Sequence, residues 1–248
     1  MGKKVLIADD TLPLRVMIEE VLTEAGYEVI IASDGLEVWK IICSRFKEID
    51  LLVLDLLMPK MSGFEVLAEL KKEFPERKFP VLVLSGVFKS EKEISRLKDL
   101  GANGYLNKNS VVDDILYRVN FIFYSQLERS RRYPRVLCSL PVDYQFNGNK
   151  HSSHTTTLSL GGCFVRTLKP APKNAIANLW IMVPDCGCNE SVHTQGRVVW
   201  VNGYDTDYKP NSPPGMGLEF QPIAEDQLEC IKELVDQKLH EEDIWKNP

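Results

Sequence analysis

No apolar run in this 248-residue chain approaches the ~20 residues that a membrane-spanning helix needs. The opening MGKKVLIADD turns acidic just where a secretory leader would continue its hydrophobic stretch. Both absences lead us to expect a cytoplasmic protein without membrane insertion. A basic excess is missing too: 30 Lys and Arg stand against 35 Asp and Glu, for a formal net charge of -5. General electrostatic attraction to nucleic acid is thereby excluded, and any basic site must be local. Cysteine is sparse and scattered. Cys43, Cys138, Cys163, Cys186, Cys188 and Cys230 lie mostly in apolar stretches, where a reduced thiol behaves as a small hydrophobe. No disulfide framework is expected. Cys186-Gly187-Cys188 alone resembles a ligand pair, and His151, His154, His193 and His240 offer no partner at zinc spacing. Internal repeats, low-complexity tracts and a helix-turn-helix are also absent, so no DNA partner is expected.

A chain of this length suits two domains of roughly 120 residues each. In the first half, short β-branched runs (KKVLIA, EVIIA, LLVLD, PVLVLS) alternate with amphipathic segments such as LPLRVMIEEVLTEAG and SGFEVLAELKKEF. Runs apolar on both faces predict buried parallel strands in a doubly wound α/β sheet, with chemistry beyond the strands' carboxyl ends. A helical pattern with Ile115, Leu116, Val119, Ile122 and Phe123 closes this half.

Carboxylates stand at two of those ends: Asp9 and Asp10 follow KKVLIA, and Asp55 ends LLVLD. Parallel strands bring them together, and the repulsion among converging carboxylates is best relieved by Mg²⁺, which takes few protein ligands and keeps positions for a phosphoryl oxygen. PVLVLS ends in the Ser85 hydroxyl, and GYLNK brings Lys108 to a later strand end as a counter-charge. Singly, each residue has a structural explanation as a helix cap, loop start or solvated cation. Jointly they point to phosphoryl transfer.

With ADD (Ala8 to Asp10), DLLMPKMSG (Asp55 to Gly63), LSG (Leu84 to Gly86) and GANGYLNK (Gly101 to Lys108), the first half resembles the receiver family of response regulators. The resemblance implies a flavodoxin-like, five-stranded domain over 1–124. It further implies that Asp55 accepts a phosphoryl group from a sensor histidine kinase or phosphotransfer protein, and that Asp9, Asp10, Asp55 and the Leu57 carbonyl hold Mg²⁺. Ser85 and Lys108 would stabilise the transferred group, and Tyr105 would be the switch residue. Asn109 departs from the family, in which proline usually follows the lysine.

From about Arg129 the character changes. Segments such as RVLCSLPVDYQF, GCFVRTL, NLWIMVP, GRVVWV and GMGLEF follow one another between Gly, Pro and Asn turns, which predicts an antiparallel barrel or sandwich. AEDQLECIKELVDQKLHEE then forms a terminal amphipathic helix on Leu228, Ile231, Leu234, Val235 and Leu239. The entry RSRRYPRV concentrates Arg129, Arg131, Arg132 and Arg135 in an otherwise acidic chain. Arginine grips phosphate, pairs with guanine and stacks on flat rings; a solvated linker is the plainer reading of such a run. TLSLGG adds Ser159, Gly161 and Gly162 in a turn between apparent strands.

Together, Arg131 and Arg135 in RxxxR, Ser159 and Gly162 in SxxG, and the later GCFV, GRVVWV and PGMGLEF resemble the PilZ family. The resemblance implies a β-barrel with a C-terminal helix over 137–248, reached through a linker and arginine motif at 125–136. Its ligand would be cyclic di-GMP, gripped by Arg131 and Arg135 with help from Arg132 and walled by Ser159, Gly161 and Gly162. Thr157 stands where the family normally has Asp or Asn. The expectation is a response regulator signalling to a protein partner, with an interaction adaptor that has lost the nucleotide as the alternative. No second-half segment carries a convincing nucleophile and base, so no enzyme output is expected. Phe121, Phe123 and Tyr124 leave open a homodimer, packing on the barrel or packing within the receiver.

Overall fold

A computed structural model describes residues 2–86, 91–108, 112–124, 132–184, 191–203, 208–209 and 212–243. The chain divides into two compact units, with the division at Leu116 and Tyr117.

In the first unit, β1 (Lys4–Ala8), β2 (Glu28–Ala32), β3 (Leu51–Asp55), β4 (Val81–Ser85) and β5 (Gly104–Asn107) form a parallel sheet in the order β2-β1-β3-β4-β5. Every residue of β3 and β4 is buried, whereas the edge strands are only partly covered. The all-apolar runs therefore mark the centre of a sheet covered on both faces. Helices α1 (Leu12–Glu24), α2 (Gly35–Arg45), α3 (Gly63–Glu73), α4 (Glu91–Asp99) and α5 (Val112–Tyr124) connect or follow the strands. Each start is local: Pro13 occupies the first turn of α1, Asp34 caps α2, and Ser62 with Glu65 forms a capping box on α3.

In the second unit, β6 (Val136–Leu137), β7 (Pro141–Phe146), β8 (Asn149–Ser159), β9 (Gly162–Arg166), β10 (Ile176–Met182), β11 (Ser191–Asn202) and β12 (Gly215–Phe220) are antiparallel. The order β8-β7-β10-β11-β12-β9 returns to β8 through the β8–β9 pairing, closing the barrel. Strand β8 makes closure possible by pairing twice. Its first half lies against β7, and its second half against β6 on one side and β9 on the other. The β7–β8 hairpin turns on Asn147 and Gly148, both at positive φ (48° and 77°), the geometry that matches strand twist in a two-residue turn.

Barrel closure also depends on Gly162. A Cβ there would lie 2.0 Å from the Leu218 carbonyl oxygen across the β9–β12 pair. Gly162→Ala should therefore cost about 2–3 kcal/mol, read as a lowered denaturation midpoint in urea. An unchanged midpoint would mean that β9 can shift without loss.

Leu140, Val142, Tyr144, Leu158, Val165, Leu179, Ile181, Val192, Val198 and Leu218 fill the barrel, and α6 (Glu225–Asp243) adds Ile231 and Val235. Two details depart from expectation. Leu228 of α6 is exposed, and Cys230 is buried instead. Cys230 is also disulfide-bonded, whereas Cys43, Cys138 and Cys163 are free as expected. The expectation of no disulfide thus fails at Cys230, because pairing depends on approach in the fold, which spacing along the chain does not reveal. Cys186 and Cys188 lie outside the described residues.

Candidate functional site

The register of the parallel sheet builds the first site. Ala8 pairs with Leu54, Asp55 with Leu84, and Ser85 with Asn107, so the residues at and after these positions emerge at one end. One carboxylate oxygen each from Asp9, Asp10 and Asp55 lies within 4.8 Å of the others. Asp9 and Asp55 are buried, and Asp10 is exposed. Lys108 bridges the buried pair, its Nζ 2.8 Å from Asp9 Oδ2 and 2.6 Å from Asp55 Oδ2.

Backbone contacts hold these side chains. Thr11 N–H donates to Asp9 Oδ1 (2.8 Å), Leu57 N–H to Asp55 Oδ1 (3.1 Å), and Arg15 to the Asp9 carbonyl. Lys108 N–H donates to the Ser85 carbonyl (3.1 Å), and the Tyr105 hydroxyl donates to the same oxygen (3.0 Å). Ser85 is fully buried. Burial pushes the Asp55 carboxyl above the ordinary carboxylate range; Lys108 and the Leu57 N–H oppose that rise, and the Asp9 charge adds to it. Burial by itself would lower Lys108, but its bonds and attraction to Asp55 and Asp9 together hold it above the usual lysine value.

The sequence reading missed the residues that position the loop after Asp55. A Cβ on Gly63 would lie 2.2 Å from the Asp55 carbonyl oxygen, and one on Gly35 would lie 1.9 Å from that of Met61. Between them Lys60 adopts φ 66° and pairs with Asp34 at 2.6 Å. Gly63 was visible as part of DLLMPKMSG, but its reason, the approach of α3 to the Asp55 backbone, is tertiary.

The donor set fits a hard divalent cation. It is all oxygen, and Asp9 Oδ2 is buried without a hydrogen bond although Lys108 pairs with it. The Leu57 side chain is exposed, as in a loop passing the mouth of such a site.

In the barrel, Thr157 and Ser159 lie on the buried second half of β8. Thr157 pairs with Leu137 and Phe164, and the Ser159 hydroxyl donates to the Gly162 carbonyl (3.1 Å). Arg132 and Arg135 are exposed, and Arg132 lies over the Tyr133 ring at 5.3 Å. The Arg135 charge reaches the buried Cys163 thiol beside the same turn, where burial still wins and pushes that thiol up to about 12. Arg129, Arg131 and Asn109 lie outside the described residues. So does the side chain of Tyr124, while Phe121 stacks on Tyr117 within α5.

Comparison with known proteins agrees with this division. Residues 5–120 match the response regulator receiver domain, and residues 129–237 match the PilZ domain. Chemotaxis protein CheY of Thermotoga maritima is 34% identical over 111 residues, covering 44% of this chain and 87% of that protein. Response regulator RR06 of Streptococcus pneumoniae is 42% identical over 106 residues, 42% of this chain and 45% of that one. Alkaline phosphatase synthesis transcriptional regulatory protein PhoP of Bacillus subtilis is 34% identical over 122 residues, 49% of each chain. The chain thus spans about half the length of the latter two relatives. Vibrio cholerae chemotaxis protein CheY4 superposes with a TM-score of 0.45 at 30% identity, covering 48% of this chain and 98% of that one. Among the described residues, no helix is long and apolar enough to cross a membrane. The chain belongs to the response regulators, with a receiver domain followed by a PilZ domain.

Proposed function

We propose that this response regulator is phosphorylated on Asp55 and that its PilZ domain binds cyclic di-GMP, the two inputs together setting the signal to a protein partner. The receiver would comprise 1–124, the linker and arginine motif 125–136, and the barrel with its helix 137–248. The carrying observation is the gathering of Asp9, Asp10 and Asp55 within 4.8 Å, with Lys108 on the two buried carboxylates. In the reaction an Asp55 oxygen forms a bond to phosphorus as the phosphorus–nitrogen bond of a partner's phosphohistidine breaks, and the imidazole leaves. Mg²⁺, held by Asp9, Asp10, Asp55 and the Leu57 carbonyl, would supply charge neutralisation. Lys108 and Ser85 take up the added ≈ -1.5 to -2 charges of the phosphoryl group, and Tyr105, already bonded to the Ser85 carbonyl, reports their movement as the switch residue.

At the barrel, Arg131, Arg132 and Arg135 supply the cationic grip, and Thr157, Ser159, Gly161 and Gly162 the facing wall. Support comes from the adjacency of Ser159 and Gly162, joined by a hydrogen bond, and from β6, which leads from Arg135 directly into pairing with Leu158 and Thr157 of β8. Thr157 favours a second reading, an adaptor controlled by phosphorylation alone, because one hydroxyl replaces the acceptor carboxylate or amide usual in the family. Losing such a partner costs about 1.5–3 kcal/mol.

Calorimetric titration with cyclic di-GMP, with and without beryllofluoride and Mg²⁺, tests the proposal. Micromolar binding that disappears in Arg131→Ala/Arg135→Ala is expected, with an affinity that changes when beryllofluoride occupies Asp55; linkage then requires the reciprocal effect on the receiver. Binding that is absent in the native chain and appears in Thr157→Asp would establish the adaptor.

A further inference from the structure

Gly161 is one of two residues in the tight turn between β8 and β9. Its φ is not positive, so its own backbone does not demand a glycine. A neighbour does. A Cβ at this position would lie 2.8 Å from Tyr133 Cδ2 and 3.4 Å from Cε2, so the ring rests directly on the bare backbone. That backbone is itself fixed, because the Phe220 N–H donates to the Gly161 carbonyl at 3.0 Å.

Tyr133 stands between the arginines. Arg132 places its guanidinium 5.3 Å from the ring centroid, within cation–π range. Pro134 follows and restricts Tyr133 to extended conformations, and Arg135 leads without a gap into β6, which pairs with β8. The segment is thus held at two points, by strand pairing after Arg135 and by the ring on Gly161 before it.

We propose that Tyr133 is a positioning residue, a latch that seats the arginine segment on the β8–β9 turn before any ligand arrives. The ring touches glycine on one element and carries a guanidinium from its own, so it orders charged side chains that would otherwise have to be ordered by the ligand. Immobilising long side chains in advance is a recognised source of affinity. The latch deepens the cyclic di-GMP reading and rests on it for the effect on affinity, but its effect on the free chain needs no ligand.

The test uses the full chain and two readouts. The first is the rate of trypsin cleavage after Arg132 and Arg135 without ligand. Tyr133→Ala and Gly161→Ala should each speed it about tenfold, and Tyr133→Phe should leave it native, since only the ring is needed. The double variant Tyr133→Ala/Gly161→Ala should be no faster than Tyr133→Ala, because the alanine methyl then meets nothing. The second readout is cyclic di-GMP affinity by calorimetry, expected to fall about tenfold in the same variants, with melting temperatures of the barrel near the native value. Cleavage rates that are unchanged in Tyr133→Ala, or additive in the double variant, would overturn the latch. Altered cleavage in a chain that binds no cyclic di-GMP would uphold the latch and sink the nucleotide reading.

Discussion

Asp55→Asn is expected to reduce labelling by a small acyl phosphate or a partner kinase to background, and to raise the melting temperature of the receiver at neutral pH. The first effect follows from removing the oxygen proposed as the nucleophile. The second follows from the energetics of the buried site. The folded carboxyl sits above its unfolded value, first through burial and then through Asp9, despite Lys108. A group whose folded pKa is raised binds its proton more tightly in the native state, so stability falls as pH rises from the unfolded value of about 4 through the folded one. Above the folded value the whole penalty is present, and an amide of the same shape escapes it. Below about pH 4 both proteins carry a neutral group there, and their melting temperatures should converge. Retained labelling at native stoichiometry would remove Asp55 from its role, and a lower melting temperature for Asp55→Asn at pH 7 would show that the Lys108 contact outweighs the burial.

Lys108→Met should act in the opposite direction. Its ammonium sits between Asp55 and Asp9 at 2.6 and 2.8 Å, and the side chain is only 19% exposed. Removing one partner from a buried charged group leaves the others uncompensated, at a cost of about 3 kcal/mol, or roughly 10 °C in melting temperature for a unit of this size. The lysine is held above its usual value, so its contribution is complete below the unfolded pKa near 10.5 and disappears only as pH rises through the folded value. Neutral pH therefore reveals the full loss. Millimolar Mg²⁺ should recover part of it and raise the variant's melting temperature more than the native one's, since the cation then replaces the missing charge among three carboxylates. Equal shifts in both proteins would argue that the metal and the lysine do not share the site.

The receiver was legible because its chemistry and its strands coincide. LLVLD and PVLVLS are apolar on both faces and end in Asp55 and Ser85, so one pattern pointed to both the sheet and the candidate site. The sequence could not show that Asp10 stays exposed while Asp9 is buried, nor that Gly35 and Gly63 are required by carbonyl oxygens of other segments. In the barrel the longest gap was β8, whose first seven residues, Asn149 to Thr155, alternate no apolar positions. Only its turn with SLGG was read. The strand exists because its hydroxyls find partners: Thr155 donates to the Cys138 carbonyl and accepts from Leu140 N–H, and Ser153 donates to the Arg166 carbonyl. Hydroxyls that satisfy neighbouring backbone can hold a strand in the sheet without any hydrophobic period. The start of β11, Ser191 to Gln195, was missed because only Val192 of its two buried positions is apolar, the other being Thr194.

The direct passage from Arg135 into β6 makes the barrel a ruler for the arginine motif. Val136 and Leu137 are pinned opposite Leu158 and Thr157, and strand side chains alternate faces with every residue. A single residue inserted between Arg135 and Val136 would carry Tyr133 one step out of phase with Gly161, on which its ring rests, whereas residues added ahead of Arg131 would leave that phase untouched. Change in length after Arg135 thus shifts the register of everything before it, and a two-residue strand sets the boundary.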